Sequence, residues 1–517
     1  MIMATKRPIG PFVAPCSLQS GPSVGCHSSA LCLSGKTAGA FKGVEAAEDG
    51  DAFGEDALVV TMDDQRREIA DGGLYAVDGV IRSVGPGTSL PGTADTVMDL
   101  AGHIVLPGLI NAHHHLDQTL TRALPAAQNN NLFRWLQAHY LLWAARTPEA
   151  SRTATLVGCA ELALSGCTTV FDHAYVFRNG CAVDDQIAAA REIGIRFAVS
   201  RGSMSLGQSK GGLPPDSCVE DEDDILKDCE RVIARYHDAK PGSMTQIVLA
   251  PCSPFSVTPE LLRQSAAMGR RSGIRLHTHL CETLDEERYT LQRWGMRPVE
   301  YMRSADWAGD DVWYAHAIHV NGAEIREFAR AGIGACHCPC SNMRLASGIA
   351  PVMKYRRAGV KVGIGVDGSA SNDGNNMLGE VRQAMLLARL QIGLRPPEGP
   401  DTALSTSDPS RDDEWMTARQ ALELATLGGA ALLGRDDIGS LAVGKQCDFF
   451  ALDLNSLAYA GALADPVAAT LFCAPQTARH TVVAGRPVVR DGRIVTIDLE
   501  RTVAEHNRHA ARLASLA

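Results

Sequence analysis

From residue 57 onward the chain alternates short apolar runs with longer amphipathic stretches. Ala57–Met62, Gly73–Val77 and Gly79–Val84 are apolar segments divided by charged or glycine-bearing turns, which is the pattern of short strands. Asp448–Asp453, Thr481–Ala484 and Pro487–Val489 repeat it near the other end. The two ends together predict one small β-rich, sandwich-like domain built from 56–105 and 440–517. Between them lie eight candidate strands at 103–110, 168–173, 196–201, 246–251, 274–279, 312–317, 333–338 and 361–366. Each is followed by a stretch long enough for a helix, such as 258–272 or 321–331. Eight strand-then-helix units predict an α/β fold, a (β/α)8 TIM-like barrel over 106–439, with its chemistry at the carboxyl ends of the strands. The acidic run Glu220–Asp224 reads as a solvated helix start.

Composition narrows the class. A chain of 517 residues exceeds what one core usually serves, in keeping with a large domain and a smaller one. A net charge of −10 argues against nucleic acid as a partner. No apolar stretch reaches the roughly 20 residues needed to cross a bilayer. Many of the 15 cysteines sit inside apolar runs, such as Cys159, Cys167 and Cys281, which suits buried free thiols in a reducing compartment and a cytoplasmic location. The first 44 residues contain no Asp or Glu and carry Lys6, Arg7, Lys36 and Lys42. That composition fits an organellar transit segment; the plainer reading is that residues 1–55 form a disordered tail or follow a start assigned too far upstream.

The chemistry is concentrated where those strands end. Leu106-Pro-Gly-Leu-Ile-Asn-Ala-His113-His-His115 closes the first. On an extended chain His113 and His115 share a face and His114 points the other way. The fifth strand contributes His277, His279 and Glu282, the sixth His316, and the eighth ends in Asp367. Imidazoles and a carboxylate gathered at one barrel mouth suit a single divalent metal with an open position for water.

These segments resemble the metal-dependent amidohydrolase superfamily in its deaminase and chlorohydrolase branch. The matching stretches are Pro-Gly-Leu-Ile-Asn-Ala-His-x-His, His279-Leu-Cys-Glu282, His316, Val366-Asp-Gly-Ser-Ala-Ser-Asn372 and Gly439–Asp448, and the resemblance runs from about residue 56 to the C-terminus. Within the branch, 115–125, 200–207, 250–256 and 337–347 most resemble 8-oxoguanine deaminases. The resemblance implies His113, His115, His279 and Asp367 as ligands of one metal, zinc by default, with iron also suited to such a set. It implies Asp367 as acceptor of the attacking water's proton, Glu282 as shuttle to ring nitrogen and leaving ammonia, and His316, rather than His319, as hydrogen-bond partner of the water. The expected reaction is hydrolytic deamination of a small purine- or pterin-like heterocycle, 8-oxoguanine to urate foremost. Guanine, isoxanthopterin and amino- or chloro-substituted s-triazines are the rival substrates. Barrels of this branch are often dimers, so the resemblance also implies a homodimer.

Other residues are candidates by position. Gln118, Arg122 and Trp135 follow the first strand and could meet a flat heterocycle. Arg201 ends the third strand with a planar fork suited to a substrate carbonyl; Ser341, Asn342 and His173 are further pocket candidates. His277 is expected behind the ligands rather than among them. Two signals are declined. Gly363-x-Gly365-x-x-Gly368 has no acid about twenty residues on, so it does not read as a dinucleotide loop. Cys336-x-Cys338-x-Cys340 reads as one face of small thiols on the seventh strand.

Overall fold

A computed structural model of the chain describes residues 52–394 and 414–517; the reading of the N-terminal segment lies outside the described residues. Eight parallel strands close into a barrel: β1 (Leu109–Asn111), β2 (Cys167–Asp172), β3 (Arg196–Ser203), β4 (Thr245–Pro251), β5 (Leu276–Leu280), β6 (Val312–His316), β7 (Gly334–His337) and β8 (Val362–Ile364). They neighbour one another in chain order, and Ile364 opposite Asn111 completes the ring. Successive side chains face opposite ways. Ile110, Phe171, Ala198, Val248, Trp313 and Cys336 therefore fill the barrel, while Leu109, Val170, Phe197, Ile247, Val312 and Ala335 pack outward under the helices. The helices begin and end where their sequences direct. Thr258 accepts from Leu261 N to start Pro259–Ser272, and Gly273 ends that helix in the left-handed conformation. Asn321 and Glu324 form a capping box for Gly322–Ala331. The acidic run starts the helix Glu222–Tyr236, with Asp221 as its cap.

The second sheet draws on both ends of the chain. Its path runs from Arg493–Ile494 through Arg486–Arg490, His480–Val483, Phe449–Asp453, His103–Pro107, Ala52–Val60 and Glu68–Val77 to Val80–Pro86, with Thr96–Asp99 paired to Ala52–Val60. Three details depart from expectation. The run 103–110 is not one strand: His103–Pro107 belongs to this sheet, and the chain crosses at Gly108 into β1. Proline and glycine interrupt the pairing, which a purely apolar pattern conceals. The seventh strand ends at His337, so Cys340 lies in the helix Pro339–Arg344, away from Cys336 and Cys338 inside the barrel. The terminal segment is not wholly β, because Leu499–Ala514 is a helix packed on Pro148–Leu164. At the opposite end from the strand carboxyl termini, Arg196 at the start of β3 joins the two sheets. Its Nε and Nη2 both donate to the Asp448 carboxylate at 2.9 Å, and both side chains are buried.

Candidate active site

Beyond β1 and β8 the chain pairs once more, Asp367 beside His114 and Gly368 beside His115. Asp367 N donates to His113 O at 3.1 Å, which fixes the carboxylate next to the first two histidines. The glycines of 363–368 serve this closure. A Cβ on Gly365 would stand 2.7 Å from His113 Cβ, and one on Gly368 would stand 1.7 Å from Gln118 Oε1. Three site residues hold left-handed backbone without being glycine: Cys281 (φ 54°), His316 (φ 68°) and Asp367 (φ 59°). Each such conformation costs on the order of 1–3 kcal/mol, a strain that gathers at functional sites.

Hydrogen-bond partners dictate which imidazole nitrogens carry protons. A carbonyl oxygen only accepts, so the nitrogen facing it must donate. His115 Nδ1 donates to His173 O at 2.7 Å, and His279 Nδ1 donates to Cys252 O at 2.6 Å. His277 Nδ1 donates to Trp313 O at 3.0 Å, which leaves its Nε2 to accept from His113 Nδ1 at 2.8 Å. Burial drives His113 down to about 3 and His277 and His279 well below the ordinary range, so all three are neutral at pH 7. The Nε2 atoms of His113 and His279 are consequently bare lone pairs, and His115, with Nδ1 committed to a carbonyl, turns its Nε2 into the same cluster. His115 Nε2 lies 3.1 Å from His279 Nε2, and both His113 Nε2 and His115 Nε2 lie 3.3 Å from Asp367 Oδ1. Lone pairs pressed together beside a carboxylate repel unless a cation stands among them. The residues present fit one divalent metal of borderline character. His173 and His316 also offer atoms within 4.8 Å of overlapping sets of these donors. His173, however, commits Nε2 to Ala250 O and stacks on His279 at 4.8 Å.

Next to this cluster His316 Nε2 sits 3.5 Å from Glu282 Oε2 and 3.8 Å from Asp367 Oδ2. Burial opposes the charged form of His316, but the carboxylates of Glu282 and Asp367 outweigh it and raise its pKa. Burial shifts the Glu282 carboxyl pKa upward, with His316 partly offsetting it. Ser347 Oγ donates to Glu282 Oε1 and Ser371 Oγ to Asp367 Oδ2. These groups open onto a pocket with about 370 Å³ of empty space, part of it open to solvent, whose walls include Gln118, Trp135, Tyr175, Phe255 and Leu345. Trp135 donates Nε1 to Ala370 O, which sets its ring against the cavity.

Not every candidate reaches it. Arg201 is corrected: its guanidinium is taken by Glu220 at 2.8 Å and Asp228 at 2.6 Å, and lies over the Phe177 ring. A buried cation needs its counter-charges, and both come from the adjoining loop and helix. Asn342 is also reassigned, because its Oδ1 accepts from His316 Nδ1 at 2.9 Å instead of lining the cavity. Arg122 pairs with Glu161, and His319 bonds Ser347 O. Unanticipated were Tyr175 as a cavity wall and Ser347 and Ser371 as partners of the carboxylates. The carbonyls of His173 and Cys252 carry no sequence signal at all.

The sequence profile of the amidohydrolase family matches residues 104–494. The chain belongs to that family. Among amidohydrolases it is 48% identical over 447 residues to the 8-oxoguanine deaminase of Pseudomonas aeruginosa, covering 86% of this chain and 95% of that protein. It is 35% identical to an isoxanthopterin deaminase from an unknown prokaryotic organism, covering 87% and 93% of the two chains. The zinc complex of an atrazine chlorohydrolase from Arthrobacter aurescens TC1 superposes with a TM-score of 0.82 at 34% identity, spanning 89% of this chain and 100% of that one. The amidohydrolase described here is thus a metal-dependent hydrolase acting on C–N bonds. Among its described residues no helix is long and apolar enough to cross a membrane.

Proposed function

We propose that this amidohydrolase deaminates 8-oxoguanine, replacing the exocyclic amino group with oxygen to give urate and ammonia. The observation that carries the reading is the carboxyl–imidazole–carboxyl array Glu282–His316–Asp367 bordering the Nε2 atoms of three imidazoles in a pocket walled by aromatic side chains. The 48% identity to a deaminase of that purine supports the choice of ring. His113, His115, His279 and Asp367 would hold one divalent ion, zinc being the species in the chlorohydrolase complex. Such an ion supplies Lewis acidity, lowering the pKa of a bound water to about 7. Asp367, kept in place by Ser371, accepts a proton from the attacking water. Glu282, held against His316 and bonded by Ser347, carries a proton to the ring nitrogen and then to departing ammonia. His316 orients the water, its own tautomer fixed by Asn342. Trp135 presents an aromatic face to the heterocycle, and Gln118 an amide to its polar edge.

The proposed setting is the cytoplasm, which the 12 free cysteines among the described residues suit. A homodimer rests on the resemblance alone, and sedimentation measures it. Ammonia release from 8-oxoguanine, guanine, isoxanthopterin and hydroxylated triazines with metal-replete protein tests the substrate. The highest kcat/KM on 8-oxoguanine supports the reading. A higher value on a pterin or triazine replaces the substrate, and silence on the whole panel overturns the proposal.

A further inference from the structure

Behind Glu282 stands a second buried carboxylate with no part in the chemistry above. Glu286 has no exposed surface. It lies three residues after Thr283, which caps the helix Leu284–Trp294 by accepting from Glu286 N. A glutamate at that position ordinarily reaches back to the N–H of the capping residue. Glu286 reaches further: Oε1 accepts from Cys281 N at 2.8 Å and Oε2 from Glu282 N at 3.0 Å. These N–H groups belong to the turn where the chain leaves β5, with Cys281 in left-handed backbone. The carbonyl of Cys281 is tied as well, accepting from Ile318 N at 3.0 Å and His319 N at 2.9 Å in the loop after His316. One carboxylate therefore anchors the turn that carries Glu282 and, through Cys281, the loop that carries His316.

We propose that Glu286 is a positioning residue: its two oxygens clamp the Cys281 and Glu282 N–H groups and so hold the Glu282 carboxyl against His316 for proton transfer. What proton is moved rests on the deaminase reading; the clamp itself is a matter of geometry. A carboxylate accepts at both oxygens, whereas a carboxamide accepts at one and turns its own N–H groups toward the other donor. In this dry turn an orphaned N–H strains the backbone until the turn shifts. A displacement of about 1 Å at a reacting group costs on the order of 100-fold in rate.

Glu286→Gln keeps the shape and loses one acceptor; Glu286→Asp keeps both acceptors on a shorter arm. E286Q should lower kcat by about 10- to 100-fold with KM within about threefold of wild type, because only the transferring group moves. Metal content should be unchanged, amide exchange at Cys281 and Glu282 should quicken, and E286D should keep more activity than E286Q. In an E282Q background the further change E286Q should cost nothing, since the group being positioned is gone. A packing role predicts the reverse order, the isosteric amide outperforming the aspartate, and that result overturns the proposal. So does an equal added loss in the E282Q background, or loss of metal from E286Q. If E286Q does not fold, Glu286→Ala, which removes both acceptors, decides: lowered kcat at unchanged KM and metal content supports the clamp, and wild-type kcat refutes it. Rates are read on whichever heterocycle the wild type turns over. If it turns over none, the functional reading fails, while amide exchange still tests the clamp.

Discussion

Replacing His277 by phenylalanine removes a group that touches neither substrate nor metal, yet metal affinity should fall. In the wild type Trp313 O takes the His277 Nδ1 proton, so His277 Nε2 takes the His113 Nδ1 proton and His113 presents a bare Nε2 to the centre. His277 is buried and neutral, so the relay runs in one direction. A phenyl ring fills most of the space but leaves the His113 N–H without an acceptor, at a cost of about 1–3 kcal/mol. The alternative tautomer of His113 would blunt the ligand instead. Partners behind metal-ligating histidines are typically worth about 10- to 100-fold in affinity, or roughly 1.4–2.8 kcal/mol, which agrees with the first figure. Competition against a chromophoric chelator at pH 7 measures the change, with circular dichroism to confirm folding. His277→Gln, which restores an acceptor, should recover part of it. If H277F binds metal as tightly as the wild type, the relay does not set the tautomer of His113 and the reasoning fails.

Three further perturbations probe other contacts. Gly368→Ala would put a methyl group 1.7 Å from Gln118 Oε1 and expel that amide from the cavity; KM should rise about tenfold, the worth of one hydrogen bond, and an unchanged KM would remove Gln118 from the substrate contacts. Asp448→Ala leaves Arg196 charged and unpaired in the core, so urea unfolding should show a loss of about 3–5 kcal/mol with kcat preserved, whereas a loss under about 1 kcal/mol would count against the ion pair as the joint between the sheets. Burial lifts Glu380 from 4.5 to about 7 despite its bonds from Cys340 N and Asn372 Nδ2. The folded state therefore binds the proton more tightly than the unfolded one. Its contribution to stability is full below about pH 4.5 and is lost as pH rises through about 7. Glu380→Gln should flatten that part of the stability–pH curve by up to about 3 kcal/mol relative to wild type; parallel curves would refute the shift.

The barrel was legible because buried parallel strands are apolar on both faces and their helices carry caps such as Thr258 and Asn321. The break at Gly108 was not, since Pro107-Gly108 interrupts an apolar run that reads alike on both sides although the two halves join different sheets. The helix Leu499–Ala514 was absorbed into a β-rich reading that rested on the strands before it. The structure gathers His113, His115, His279, Glu282, His316 and Asp367 at one barrel mouth, and the sequence pointed to them because imidazoles and carboxylates at strand ends are the groups able to hold a metal or move a proton. Gln118 and Trp135 followed from lying just after β1. Arg201 misled because a guanidinium suits a substrate carbonyl and a carboxylate equally, and only the fold reveals Glu220 and Asp228. Asn342 lies close to the site, but its partner is an imidazole. Glu286 did leave a trace, as the fourth residue of a Thr-x-x-Glu capping signature, yet its reach past the cap to Cys281 is tertiary.

The most direct test of the account is the divalent metal content of the purified protein by elemental analysis, alongside His279→Ala and Asp367→Ala. The account predicts one ion per chain in the wild type and less in both variants under the same dialysis, because each removes a donor from a single shared centre. A wild type that binds no divalent metal after reconstitution, or variants that keep a full equivalent, would contradict it.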